Sequence, residues 1–328
     1  MLEASPKRLS EAIPPFEILR FDIRYSAVRC LNQIRLPNCD SRLVHKIRQH
    51  ALIRHSTLDI LHLISLNTCS IWQHFNKNEV TMDELIKRAA DDLAAARNVV
   101  ALTGAGISVD SGITPFRGKG GLWEKFDPME VAHIDAFMRD PARVWNLLVK
   151  DMKATLDTAS PNDGHKGLAK LEEMGKLTTV ITQNIDGLHQ AAGNTDVIEF
   201  HGSFAWQRCM DCSQKYETGK VDISEIPPRC SCGGILRPDA VFFGEMIPQE
   251  AMWRSRQAAS DCDLMLVIGT SAVVQPAALM PVYAKESCAE IIEINPEKTP
   301  LTTEISDYLI KGKAGEVMNR IMFELERQ

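Results

Sequence analysis

The sequence predicts an α/β protein, a doubly wound parallel sheet that carries a second, smaller module. Five segments share one layout: a short apolar run, then a polar signature that mostly bears glycine. Helical patterns separate these runs, which is the alternation of a parallel sheet with helices on both faces. Ligands of such sheets bind beyond the carboxyl ends of the strands, so the five signatures should line one crevice. Two stretches break the alternation. Residues 116 to about 160 show helical patterns without a clear strand, and residues 205–238 are polar, cysteine-bearing and punctuated by proline.

Taken in order, residues 1–80 follow different statistics from the rest. They hold eleven Lys/Arg against seven Asp/Glu, five of the nine histidines and none of the 19 glycines, while the remainder carries a net charge of −10. Short helical patterns occur around Leu43 to Ile64, and the basic run Arg42 to Arg48 reads as a solvated helix face. No motif marks this segment, which is expected to be a dispensable extension with the working domain starting near Met82. Thr81-Met82-Asp83-Glu84 has the capping-box pattern, and Leu85, Ile86, Ala89, Ala90 and Leu93 then fall on one helical face.

The first strand, Val99 to Leu102, runs into Thr103-Gly104-Ala105-Gly106-Ile107-Ser108. The second, Thr179 to Ile181, runs into Thr182-Gln183-Asn184-Ile185-Asp186, and the third, Val197 to Phe200, into His201-Gly202-Ser203. Leu264 to Ile268 precedes Gly269-Thr270-Ser271, and Glu290 to Ile294 precedes Asn295-Pro296. A last helix begins near Gly315 and buries Val317, Met318, Ile321, Met322 and Leu325.

A chain of 328 residues can bury one large core and an accessory module. No apolar stretch approaches the roughly 20 residues of a membrane-spanning helix. The longest, Leu58 to Ile71, is interrupted by Asp59, His62, Ser65 and Asn67. Glu3, Lys7, Arg8 and Glu11 break any secretory signal. A cytoplasmic location without membrane association is expected. The acidic main body argues against direct nucleic-acid binding. Nine cysteines in such a chain do not suggest a disulfide framework. Cys30, Cys39, Cys69, Cys262 and Cys288 read as small buried hydrophobes.

The remaining four cysteines form two close pairs, Cys209-x-x-Cys212 and Cys230-x-Cys232, followed by Gly233-Gly234. Two thiolate pairs on separate turns can close a tetrahedral, structural zinc site, one ion per chain. The Gly104-x-Gly106 turn lets backbone approach a pyrophosphate at a helix start, which makes a dinucleotide the leading ligand. Its tail runs on through Pro115-Phe116-Arg117 to Gly121-Leu122-Trp123, long enough for a mobile loop over that ligand. Arg117 is a candidate phosphate contact and Phe116 a ring cover. His201, at a strand end, is a candidate general base. Asn184 and Asp186, with Gln183 beside them, suit recognition of a carboxamide such as that of nicotinamide.

Together GAGISVDSGITPFR, TQNIDGLHQAAG, FHGS, the four cysteines, LRPDAVFFGE and GTS resemble the sirtuin family of NAD-dependent protein deacylases, over about residues 82–328. The resemblance implies a Rossmann-like part at about 81–115, 160–204 and 239–328 of a domain spanning 81–328. It implies a small domain from a helical insertion, 116–159, and a zinc ribbon, 205–238. NAD would be consumed: the acyl oxygen of an acyl-lysine attacks the anomeric carbon as nicotinamide leaves. His201 would then act as base toward a ribose hydroxyl, giving free lysine and O-acyl-ADP-ribose. Asn184 and Asp186 match the nicotinamide pocket. Gly104, Ala105, Gly106, Ser108, Phe116 and Arg117 match the NAD loop, and Gly269, Thr270, Ser271, Asn295 and Ala314 match phosphate, ribose and adenine contacts. Val241, Phe242, Phe243, Gly244 and Glu245 match the segment that pairs with the substrate backbone, so acetyl-lysine proteins are the implied partners.

Ile113-Thr114-Pro115 departs from the family pattern in the NAD loop, and the C-x-C pair departs in the zinc ribbon. Members that prefer succinyl- or malonyl-lysine carry a Tyr-x-x-Arg pair, which aligns here with Leu148 and Asp151. That predicts neutral acyl groups, acetyl by default, although Lys150 and Lys153 lie within a turn. Rival readings are protein mono-ADP-ribosyl transfer on the same fold, an NAD(P)-linked oxidoreductase, and a non-catalytic NAD sensor. The oxidoreductase expects an acidic ribose ligand about 20 residues past the glycines, where only Glu124 and Asp127 occupy the interval.

Overall fold

A computed structural model describes residues 80–117 and 120–328. The extension, with its basic run and Cys30, Cys39 and Cys69, lies outside the described residues. Helix α1 (Met82–Ala95) opens with the expected box: Thr81 and Glu84 bond each other's backbone N–H. Ile86, Ala89, Ala90 and Leu93 are its buried face. Strand β1 (Val99–Thr103) comes next, then a 3₁₀ turn, Ala105–Ser111.

The helical insertion contains α2 (Leu122–Lys125), α3 (Pro128–Val131), α4 (Ile134–Arg139), α5 (Pro141–Val144), a π-turn over Trp145–Val149, and α6 (Lys150–Leu156). Proline or a side-chain cap starts the short α3, α4 and α5, which is how four- to six-residue helices hold their first turn. Next come α7 (Asp163–Glu173), β2 (Leu177–Thr182), α8 (Leu188–Ala192) and β3 (Val197–Glu199). Strands β4 (Gly202–Cys209), β5 (Lys215–Glu217) and β6 (Leu236–Ala240) form a separate antiparallel sheet in the order β5-β4-β6. The chain then returns through α9 (Gln249–Asp261), β7 (Leu264–Ile268), α10 (Met280–Glu286), β8 (Glu290–Ile294), α11 (Pro300–Glu304), β9 (Tyr308–Ile310) and α12 (Ala314–Leu325).

The main sheet is parallel throughout, in the order β3-β2-β1-β7-β8-β9. The chain winds outward from β1 to β3, then crosses to β7 on the other side of β1. That reversal opens a crevice between β1 and β7 at their carboxyl ends. Alternate side chains feed opposite cores, as strand geometry requires. Val99 and Ala101 join α1, α7 and α12 on one face, and Val100 and Leu102 join α9 and α10 on the other. All five β1 and all five β7 residues are buried, the pattern of central parallel strands. Strand β9 is an addition to the five runs read from sequence.

A third core joins the two insertions. Phe137, Val144, Trp145 and Val149 of the helical part pack with Phe204 and Phe242, and with Ile223, Ile226 and Ile235 of the ribbon. The Trp145 indole N–H donates to the Leu236 carbonyl at 3.0 Å. Among the described residues, no helix is long and apolar enough to cross a membrane.

Candidate active site

The five strand-end signatures meet in one crevice of about 1540 Å³. Its floor is the contact between the loops after β1 and β7. Gly106 N–H donates to the Gly269 carbonyl at 2.7 Å, and Gly104 N–H to the Ile268 carbonyl at 3.0 Å. A Cβ on Gly106 would lie 2.7 Å from the Gly269 Cα, and one on Gly104 2.8 Å from the Thr270 Cβ. The glycines are therefore needed first for backbone to pass backbone, leaving a side-chain-free cradle where phosphates can approach. The chain leaves this cradle in a seven-residue 3₁₀ turn, Ala105–Ser111.

Asn184 stands at the end of β2 and is almost fully buried. Its amide nitrogen donates to the Gly104 carbonyl and to the Ser108 hydroxyl, both at 3.1 Å. Ser108 in turn donates to Asp186 at 2.7 Å. Asn184 lines the crevice, but Ser108 and Asp186 do not. The structure thus places those two behind Asn184, fixing its carboxamide, rather than on the wall. Gln183 donates to the Thr270 hydroxyl at 2.9 Å, and Asn295 donates to the Thr270 carbonyl at 2.8 Å, tying β2, β7 and β8 together across the floor. Ala105, Gly269, Thr270, Ser271, Asn295 and Ala314 all reach the lining.

His201 faces the crevice from the end of β3. Its Nδ1 lies 3.0 Å from the Gln183 carbonyl oxygen. A carbonyl only accepts, so Nδ1 carries the proton and Nε2 carries the lone pair. Burial pushes its imidazole below the ordinary histidine range, partly offset by the hydrogen bond to Gln183. His201 is therefore neutral at neutral pH, the state a base requires.

Sequence reasoning missed a buried layer beneath this wall. His165 and His189 meet edge to face with centroids 4.9 Å apart. His189 Nε2 bonds Thr103, which bonds Thr182. Both histidines lie in helical patterns where nothing distinguishes them from surface residues.

Also on the lining, Phe116 stacks on Trp123, with centroids 5.2 Å apart, and Trp123 leans on Phe243. Arg117 is exposed at the rim. Leu148, Val149 and Met152 add an apolar wall from the helical insertion. Asp151 and Lys150 are exposed and absent from it, and Lys153 is paired with Asp157. The π-turn widens the helical phase, so Met152, not Asp151, joins Leu148 on the crevice side.

Val241 to Glu245 line the mouth. Phe243 already pairs with the helical insertion: its N–H donates to the Ala132 carbonyl and its carbonyl accepts from Ile134. Glu245 forms a two-point ion pair with the buried Arg237 and accepts the Phe242 N–H at 2.9 Å. Burial alone would raise its pKa, but the Arg237 and Phe242 hydrogen bonds outweigh that and hold it below the usual carboxylate range. Glu245 thus braces the segment from within.

Cys209, Cys212, Cys230 and Cys232 bring their sulfurs within 4.8 Å of one another, with close pairs at 3.4–3.6 Å. Zinc–sulfur bonds of about 2.3 Å in a tetrahedron imply sulfur separations near 3.8 Å. The donor set fits a closed structural zinc site. A Cβ on Gly234 would lie 2.6 Å from the Cys209 sulfur, so only glycine closes the second turn. Of the scattered cysteines, Cys262 is buried and Cys288 half-buried.

A model described as the Sir2 family matches residues 104–276. This chain belongs to the Sir2 family. It is 49% identical over 240 residues to NAD-dependent protein deacylase 2 of Pyrobaculum aerophilum, covering 73% of this chain and 95% of that one. NAD-dependent protein deacylase 1 of Archaeoglobus fulgidus is 44% identical, covering 74% and 97%. A solved Sir2 homolog–NAD complex superposes with a TM-score of 0.68 at 43% identity, covering 74% of this chain and 94% of that one. A Sir2–p53 peptide–NAD⁺ structure gives 0.68 at 37%, covering 74% and 99%. The matched residues 104–276 fall within the described part of the chain, apart from 118 and 119.

Proposed function

We propose that this sirtuin is an NAD-dependent protein-lysine deacetylase, giving nicotinamide, free lysine and O-acetyl-ADP-ribose. One observation carries the reading: a neutral His201 offers Nε2 to the same crevice that holds the glycine cradle and Asn184. NAD supplies the electrophilic anomeric carbon and the nicotinamide leaving group. The cradle of Gly104, Gly106 and Gly269 takes the phosphates, and Asn295 and Ala314 take the adenosine end. Asn184, its nitrogen engaged with Gly104 and Ser108, offers Oδ1 to the nicotinamide end. His201 Nε2 accepts a ribose proton after the acyl group is engaged. Phe116, Trp123 and Phe243 cover the reacting end and exclude water. The four cysteines hold zinc, which keeps the ribbon folded and takes no part in the reaction.

The two insertions form the small domain in this reading, with the crevice at its border with the Rossmann-like part. Val241 to Glu245 guide the backbone of an acetyl-lysine protein. A cytoplasmic location would keep the four cysteines reduced and available to zinc. The oxidoreductase reading loses its acidic ligand. Glu124 accepts the Gly120 N–H and Asp127 caps Met129, so both serve local turns. Incubation with NAD and an acetyl-lysine peptide tests the proposal. Nicotinamide release with loss of acetyl supports it. Reduced NAD would mean oxidoreduction, and ADP-ribose left on protein would mean transfer.

A further inference from the structure

Helix α9 packs one stripe on the sheet. Ser255 and Ala259 are buried, and Ala251, Met252 and Ala258 press on the core beneath. Trp253 leaves that stripe. Its side chain is 66% exposed and lines the crevice. Met246, just past the segment 241–245, is 91% exposed and lines it too. Val273, in the loop after β7, is 52% exposed and lines it as well. One exposed apolar side chain is ordinary, whereas three large ones on a single crevice suggest a contact surface. The charged lining residues of these segments are already engaged: Glu245 by Arg237, and Arg256 over the Tyr283 ring at 5.0 Å.

We infer that Met246, Trp253 and Val273 select acetyl-lysine substrates whose lysine is flanked by apolar residues. The inference rests on the deacetylase reading, because the occupant is the substrate segment itself. Met246 directly follows Val241 to Glu245 in the chain, and all three side chains line the same crevice as His201 and Asn184. A lysine side chain that reaches them leaves its own backbone and neighbouring residues at the mouth. Flanking apolar side chains would there cover Met246, Trp253 and Val273 and lose their own contact with water. Methionine is unbranched and adapts its shape, so the preference is for apolar character and not for one sequence.

The test uses the full chain and two acetyl-lysine peptides that differ only beside the lysine, one with phenylalanine and leucine, one with serine and glutamine. Turnover is read by nicotinamide release, and binding by anisotropy of the labelled peptides. The apolar peptide should show kcat/KM about tenfold higher, chiefly through KM. The double variant Met246→Ser, Trp253→Ser should bring the ratio of the two peptides close to one. Both side chains are exposed, so the fold should persist. Equal kcat/KM and equal binding in the parent protein would overturn the inference, as would a preference that survives the double variant. Tighter binding of the apolar peptide with neither peptide turned over would uphold the surface and overturn the reaction instead.

Discussion

His201 is held by a main-chain carbonyl, not by a carboxylate, so its tautomer is fixed without adding charge to the site. His201→Ala should lower deacetylation by about 10²- to 10⁴-fold. NAD binding measured by calorimetry should survive, and near-normal turnover in a folded variant would remove His201 as the base. Because burial depresses its pKa, the acid limb of kcat/KM should lie below pH 6.5. The two histidines beneath the wall act on stability. Burial pushes His165 to about 4, opposed by Asp186, and burial together with His165 pushes His189 to about 3. An unfolded chain protonates both near 6.5, so stability present above that pH is lost as pH falls through the interval. The loss should be on the order of 2 kcal/mol per histidine between pH 7 and 5. Urea unfolding at the two pH values measures it, and His189→Gln should flatten the difference.

At the scale of elements, the zinc ribbon and the helical insertion share one core, so damage to either should reach the other. Metal analysis should find one zinc per chain. Cys230→Ala should lose it, and should lower the melting temperature through the shared core. The acyl end makes a separate prediction. Leu148, Val149 and Met152 offer no cation, and an unpaired carboxylate in that wall is costly. Acetyl-lysine peptide should therefore be turned over much faster than its succinyl counterpart; equal rates would mean that a cation reaches the acyl group. Long elements were legible in the sequence. The capping box at Thr81, the α12 stripe and the five strand ends all lie where apolar period and turn chemistry put them. Asp151 illustrates what was not legible: a π-turn breaks the count of residues per turn, and nothing in Trp145 to Val149 announces it. Strands β3 and β9 are both three residues long, too few to show alternation; β3 was legible through the His201-Gly202-Ser203 signature that follows it, and β9 was not. Ser108 and Asp186 were identified as part of the site, but their place behind Asn184 depends on how two loops stack.

For the whole molecule, the described residues supply a six-stranded parallel sheet, helices on both of its faces and the joined insertions. A chain beginning at Met82 should express, fold and deacetylate at the rate of the full chain. A folded but inactive product would assign residues 1–80 a role in the reaction or its control. Thr81 belongs to the capping box, so a start at Val80 is the better control, since loss of an N-cap typically costs about 1 kcal/mol.

The stack of Phe116 on Trp123 also makes the protein its own optical reporter. The indole N–H of Trp123 is buried without an acceptor among the described residues, so its emission should sit toward the blue. Arrival of the dinucleotide beside that ring should shift or quench the signal. A chain in which Trp145, Trp206 and Trp253 are replaced by phenylalanine, begun at Val80 to omit Trp72, would let a fluorimeter track loop closure in real time, before any bond is broken.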